Sequence, residues 1–209
     1  MAALHLDLAL FRDLALELLS PSTCAACEAR APFRTLFCPP CAGTIERILA
    51  PRARAAFHYG GAIKQAIQRL KFEERPDLAR GLGSHLIPLV VDPFDAIVPV
   101  PLHPYRLAER GYNQASVLAA PLSRATGVPI DTSILHRVRN TVRQTDLQRA
   151  ERRANVATAF RARRGARGRR VLLVDDVRTT GATLEACEAA LRAVGITVVD
   201  SLTIASTPG

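Results

Sequence analysis

The chain has 209 residues, 48% of them hydrophobic, and a formal charge of +9 from 28 Lys and Arg against 19 Asp and Glu. That length suits one α/β domain with a small appendage and a real apolar core. No apolar run reaches the roughly 20 residues needed to cross a bilayer, so membrane insertion is not expected. The positive charge is unevenly spread. Residues 137–170 hold twelve arginines against only Asp146 and Glu151, while Lys64 and Lys71 are the only lysines in the chain. A GC-rich genome would explain the preference for Arg over Lys, but not the bunching. A dense cationic segment attracts phosphates, on a diphosphate or along a nucleic-acid backbone; its plain alternative is a solvated surface.

The leucine-rich stretch 4–19 carries His5, Asp7, Arg12, Asp13 and Glu17. It lacks a basic leader and an uninterrupted apolar core, so it reads as an amphipathic helix and not a signal peptide. A cytoplasmic protein is the expectation. Cysteines follow as Cys24-x2-Cys27-x10-Cys38-x2-Cys41. Each Cys-x2-Cys turn presents two thiolates, and two such turns complete a tetrahedral four-sulfur site for structural Zn2+. Ten intervening residues allow a short hairpin near 30–36. A disulfide framework fits poorly in a chain with no export signal.

A short strand is expected over 53–59, a helix over 62–70 and another over 77–91. Residues 95–101 (Asp-Ala-Ile-Val-Pro-Val-Pro) read as a buried strand stopped by prolines, which cannot extend a hydrogen-bonded ladder. The next segment, 103–114, reads as a turn or loop in which Arg106 and Arg110 can fork onto phosphate oxygens. There Asn113 caps a helix running to Thr126 and ended by Gly127. His103, beside prolines, is expected to be a surface residue. A strand near 134–138 and a charged helix over 145–155 come next. That helix and the preceding Arg143 form either a mobile lid on the substrate side or a solvent-facing surface. Residues 161–170, with Gly165 and Gly168, read as a loop. Cys187 is expected to be a small buried residue on the helix 180–194, ended by Gly195, and a last strand covers 197–205. Strands alternating with helices argue for a parallel sheet.

The run Val171-Leu172-Leu173-Val174-Asp175-Asp176-Val177-Arg178-Thr179-Thr180-Gly181-Ala182-Thr183 carries the most chemistry. Residues 171–174 read as a buried strand, two carboxylates follow at its carboxyl end, and a hydroxyl- and glycine-rich turn opens a helix. Ligands of open α/β sheets bind beyond the carboxyl ends of the strands, where a helix amino terminus offers N–H groups and a positive dipole to a phosphate. Gly181 permits close backbone approach, and Thr179, Thr180 and Thr183 add hydroxyl donors. Asp175 and Asp176, acceptors only when ionised, suit ribose hydroxyls or a hydrated Mg2+. These thirteen residues resemble the phosphoribosyl-pyrophosphate (PRPP) signature of type I phosphoribosyltransferases. The resemblance implies that Asp175 and Asp176 hold the ribose hydroxyls, and that Thr179, Thr180, Gly181, Ala182 and Thr183 wrap the 5-phosphate.

The zinc knuckles, Leu70-Lys71-Phe72, Val98-Pro99-Val100-Pro101, Arg110-Gly111-Tyr112-Asn113-Gln114, Gln144-x3-Gln148 with Arg152-x2-Asn155, and the terminal signature occur in the order found in the ComF family. The chain is similar to these competence-associated, phosphoribosyltransferase-like proteins from Cys24 to Ala205. The resemblance implies a small N-terminal zinc ribbon (residues 1–50) and a type I phosphoribosyltransferase-like parallel sheet flanked by helices (residues 51–209). It further implies a PRPP or ribose 5-phosphate ligand with Mg2+, and a role in handling single-stranded DNA during natural transformation, with DNA-uptake partners such as a helicase. In a transfer reaction, positive charge on the ribose would be stabilised by Asp175 and Asp176 as catalytic residues. The departing diphosphate would meet Mg2+, Lys71, Arg106, Arg110 and Arg143. The sequence ends at Gly209, just past the last strand, so no carboxyl-terminal hood is expected over an acceptor. The sparse aromatics Phe33, Phe37, Phe57, Tyr59 and Phe72 are the stacking candidates. Either a DNA-handling accessory that binds a ribose phosphate or a Mg2+-dependent transferase with an unidentified acceptor fits this reading.

Overall fold

The computed structural model describes residues 22–139, 158–163 and 168–208. The expected helices over 4–19 and 145–155, and Arg143, lie outside them. The apolar runs become β1 (Ala55–His58), β2 (Ala96–Pro99), β5 (Arg170–Arg178) and β6 (Val198–Ser206). They form one sheet in the order β1-β6-β5-β2, parallel throughout. Both sheet edges are covered. Ile48 and His58 exchange backbone bonds with Ala56 and Glu46 along β1, and Ile97 and Asp131 do so with Pro129 and Ile97 along β2.

The two-residue period of the strands sorts their side chains into two cores. Ile97, Leu172, Val174, Leu202 and Ile204 pack with α2 (Gly61–Phe72), α3 (Leu78–Ser84) and α5 (Gln114–Thr126). Ala96, Val98, Val171, Leu173 and Val199 pack with α6 (Ala182–Arg192) and with a two-stranded antiparallel sheet of β3 (Leu135–Arg137) and β4 (Phe160–Ala162). The cysteine module joins the first core through Cys24, Ala25, Phe37 and Cys38. Its second cysteine pair frames α1 (Pro39–Ala42), a single turn opened by a proline at its first position.

Four expectations are corrected. The helix over 77–91 ends at Ser84 and is followed by a 3-10 turn, Ile87–Leu89. Pro88 lacks an N–H and disfavours helical geometry in the residue before it. The segment 103–114 is not all loop, since Pro104–Arg110 is a helix, α4. His103 caps it by accepting from the Tyr105 N–H (3.3 Å), Pro104 starts it and Gly111 closes it. The strand near 134–138 does not join the main sheet but pairs antiparallel with β4, and that partner takes Phe160–Ala162 into a strand where the start of a loop was expected. Finally, β5 does not end before the acids. It runs on to Arg178, paired with β6 through Arg178↔Ser206, while its pairing with β2 stops at Val174↔Pro99. Asp175 and Asp176 therefore stand where one neighbouring strand has ended, in the kind of crevice that open α/β sheets use for ligands.

Candidate functional site

The four knuckle sulfurs lie within 4.8 Å of one another, with Cys27 and Cys38 Sγ 3.6 Å apart. A tetrahedral zinc with Zn–S bonds of about 2.3 Å spaces its sulfurs by about 3.8 Å, so the cluster has the donors and size for a structural zinc. Burial would raise the Cys24 thiol, but N–H groups of Cys38, Cys27 and Ala26 outweigh it and bring Cys24 down to about 6. Burial and three crowding sulfurs push Cys41 up. A central cation relieves that crowding, because zinc binds thiolates.

The end of α2 joins this module to the crevice through three successive residues. Arg69 is buried, donates through Nη1 to the Cys24 carbonyl (3.3 Å) and pairs with Glu28 and Glu73. The Leu70 carbonyl accepts from the Tyr112 hydroxyl. Lys71 ion-pairs with Asp176 Oδ2.

Asp176 is 3% exposed and Asp175 is likewise buried; the Asp176 N–H donates to Asp175 Oδ1 (2.8 Å). Burial alone would raise Asp176, but the Lys71 charge, with hydrogen bonds from Asp175, Lys71 and Gln114, holds it below its ordinary value. Burial and the Asp176 charge push Asp175 well above its own. Burial would lower Lys71, and the Asp176 and Asp175 charges more than reverse that. Within the trio, Asp175 is pushed toward its neutral form beside the Asp176–Lys71 ion pair. This is a poor donor set for Mg2+, which demands octahedral oxygen ligands. One carboxylate already holds an ammonium, and the other is driven toward its neutral form.

Two arginines of α4 complete this wall. Arg110 Nη1 donates to Gln114 Oε1, and its guanidinium lies 5.3 Å from the Phe72 ring centroid. Burial lowers Arg110, Asp176 opposes that, and Arg106 adds repulsion. From β3, Arg137 stacks over Phe160 (5.5 Å); burial and Arg106 lower it, while Cys187 and Asp175 oppose. Lys71, Arg106, Arg110 and Arg137 therefore share one electrostatic neighbourhood with the acid pair. Sequence reasoning singled out the first three and missed Arg137, whose only signal was its place at the head of the arginine-rich stretch. Asn113 caps α5 as expected, accepting from the Ala115 N–H and donating to the Val100 carbonyl, both at 3.0 Å.

Beyond the acids, Arg178, Thr179, Thr180, Gly181, Ala182 and Thr183 line a small pocket at the amino end of α6. Gly181 caps that helix at φ 80°, a left-handed conformation glycine adopts without strain. The first turn of a helix leaves N–H groups without intrahelical acceptors, at the positive end of its dipole. Thr207 ties the loop down, donating to the Arg178 carbonyl (3.0 Å) and from its hydroxyl to the Thr179 carbonyl (3.3 Å). Cys187, fully buried behind the acids, has its thiol pushed well up by burial and by Asp175; it is a packing residue. Of the stacking candidates, Phe57 and Phe37 are buried and Tyr59 packs on the core. Phe33 is half exposed on the cysteine module, and Phe72 is 67% exposed at the crevice rim.

A parallel sheet with an acid pair at the end of a central strand and a glycine turn opening the next helix defines a type I phosphoribosyltransferase fold. A model of the phosphoribosyl transferase domain matches residues 108–209. Competence protein F of Haemophilus influenzae is 38% identical over 150 residues, 66% of each chain. The DNA utilization protein YhgH of Salmonella typhimurium is 30% identical over 181 residues, covering 77% of this chain and 80% of that one. The chain belongs to the ComF family. It spans about two thirds of the length of the Haemophilus relative. Among solved structures, a PRPP amidotransferase from Bacillus subtilis aligns at 25% identity over 64% of this chain and 30% of its own, with a TM-score of 0.44. Among the described residues no helix is long and apolar enough to cross a membrane.

Proposed function

We propose that this chain binds a pentose 5-phosphate, ribose 5-phosphate or PRPP, and uses that site in taking up or processing single-stranded DNA during natural transformation, in the cytoplasm and alongside uptake proteins such as a helicase. The observation that carries the reading is the meeting of three parts at the carboxyl end of β5. These are the buried acids Asp175 and Asp176, the cations Lys71, Arg106, Arg110 and Arg137, and the 179–183 turn. The turn suits the 5-phosphate, the acids suit the sugar hydroxyls, and Arg106 and Arg110 suit a diphosphate. The names of the relatives, a competence protein and a DNA utilization protein, support the DNA setting.

The exposed Phe72 favours a second reading, an active phosphoribosyltransferase with an unidentified acceptor. An aromatic face beside Arg110 at the rim offers an aromatic acceptor a stacking surface. Calorimetric titration with ribose 5-phosphate, PRPP, ribose and inorganic phosphate tests the first reading. Binding of the two sugar phosphates well above that of ribose or phosphate alone supports it, and equal or absent heats refute it. Diphosphate release from PRPP, lost in Asp176→Asn while the fold persists, would establish the second.

A further inference from the structure

The acid pair of the crevice is folded around a cation of its own. The last turn of α2 is fixed by Arg69 on the Cys24 carbonyl and by the Tyr112 hydroxyl on the Leu70 carbonyl, so that Lys71 Nζ falls on Asp176 Oδ2. The pair is deep, with Asp176 3% and the Lys71 side chain 23% exposed. Counting formal charges, the two acids and the neighbouring Glu109 contribute at most −3 while Lys71, Arg106, Arg110 and Arg137 contribute +4. A divalent cation entering this wall would meet like charge within a few ångströms, and would have to displace a buried ammonium to reach Asp176. An anion meets the opposite field.

We propose that Lys71 is the resident cation of the acid pair, and that a pentose 5-phosphate binds here without Mg2+. The inference rests on the pentose-phosphate reading above and gives Lys71 a positioning role. It orients Asp176 in the crevice that would receive the sugar hydroxyls, and occupies the place where a metal would neutralise the carboxylates.

The test is calorimetry with ribose 5-phosphate on the zinc-loaded chain, in resin-scavenged buffer and in millimolar Mg2+. A chelator is avoided because it would strip the knuckles. The wild-type dissociation constant should agree between the two buffers to about twofold, and Lys71→Met should weaken binding about tenfold or more without Mg2+ and recover part of that loss with it. Lys71→Arg, which keeps the charge, should stay Mg2+-independent; circular dichroism and zinc content confirm that each variant is folded. Wild-type binding that requires Mg2+, or Lys71→Met binding as tightly as wild type in the scavenged buffer, overturns the inference while leaving the pentose-phosphate reading intact. No heat from wild type in either buffer refutes that reading, and this inference with it.

Discussion

Replacing Lys71 by Met keeps most of the side-chain volume and removes the charge, leaving Asp176 nearly buried with Gln114 and Asp175 as its remaining polar company. Breaking a buried ion pair from one side costs about 3–5 kcal/mol. Because 23% of the Lys71 side chain still reaches solvent, the lower end applies, about 3 kcal/mol. For a chain of this size that is a fall in Tm of roughly 6–12 °C. The pH dependence is more diagnostic. In the wild type, Asp176 is held below its unfolded value, so its contribution is present above that value, near 3.9, and is lost only as pH falls through the folded value. Lys71 is raised, so its contribution persists until pH rises through its own elevated folded value. In the variant the Lys71 charge is gone, so burial pushes Asp176 up against the remaining hydrogen bonds from Asp175 and Gln114, and its ionisation penalty grows as pH rises. The difference in Tm between wild type and variant, followed by circular dichroism, should therefore be larger at pH 8 than at pH 5.5. A Tm loss below about 1 °C, which corresponds to well under 1 kcal/mol, or a loss constant across that range, would refute the reasoning.

Three further outcomes are expected. The purified chain should carry one zinc by elemental analysis, and Cys41→Ala or chelation should remove it and lower Tm, since zinc-finger peptides gain about 10–16 kcal/mol from their metal; a zinc-free chain of equal stability would contradict this. Gly83→Ala should destabilise by about 1–3 kcal/mol despite the helix-forming gain of alanine, because its Cβ would lie 2.4 Å from the Leu118 carbonyl oxygen and 2.6 Å from Pro121 Cγ where α3 crosses α5; unchanged thermal melting would show that the crossing yields freely. Single-stranded DNA should bind with an affinity that falls steeply with salt, the log–log slope shrinking by about 0.7 for each phosphate contact removed, as in Arg106→Ala; salt-independent binding would exclude backbone contacts.

The parts legible from sequence were those set by short-range chemistry. Cys-x2-Cys spacing places sulfurs on tight turns whatever surrounds them, and the alternation of Val171, Leu173 and Val98 against Leu172, Val174 and Ile97 follows from the pleat alone. Asn113 as a cap and Gly181 at the turn that opens α6 needed only local rules. Two errors were misread local signals. Pro88 has no N–H for the Ser84 carbonyl and disfavours helical geometry before it, a break that Pro121 inside α5 does not make, and Pro104 with Gly111 bracket a helix start and stop. The remaining differences are long-range. That Lys71 meets Asp176 depends on Arg69 docking against Cys24, 45 residues away, and Arg137 enters the site only because β3 pairs with β4 across the arginine-rich stretch. No window of sequence contains those contacts.

The most direct measurement of the central claim is a crystal structure of the zinc-loaded chain with ribose 5-phosphate. The account predicts the phosphate on the main-chain N–H groups of the 179–183 turn and the sugar hydroxyls on Asp176, with Lys71 still against that carboxylate. A phosphate held only by arginine side chains, with the turn empty and the acids untouched, would contradict it.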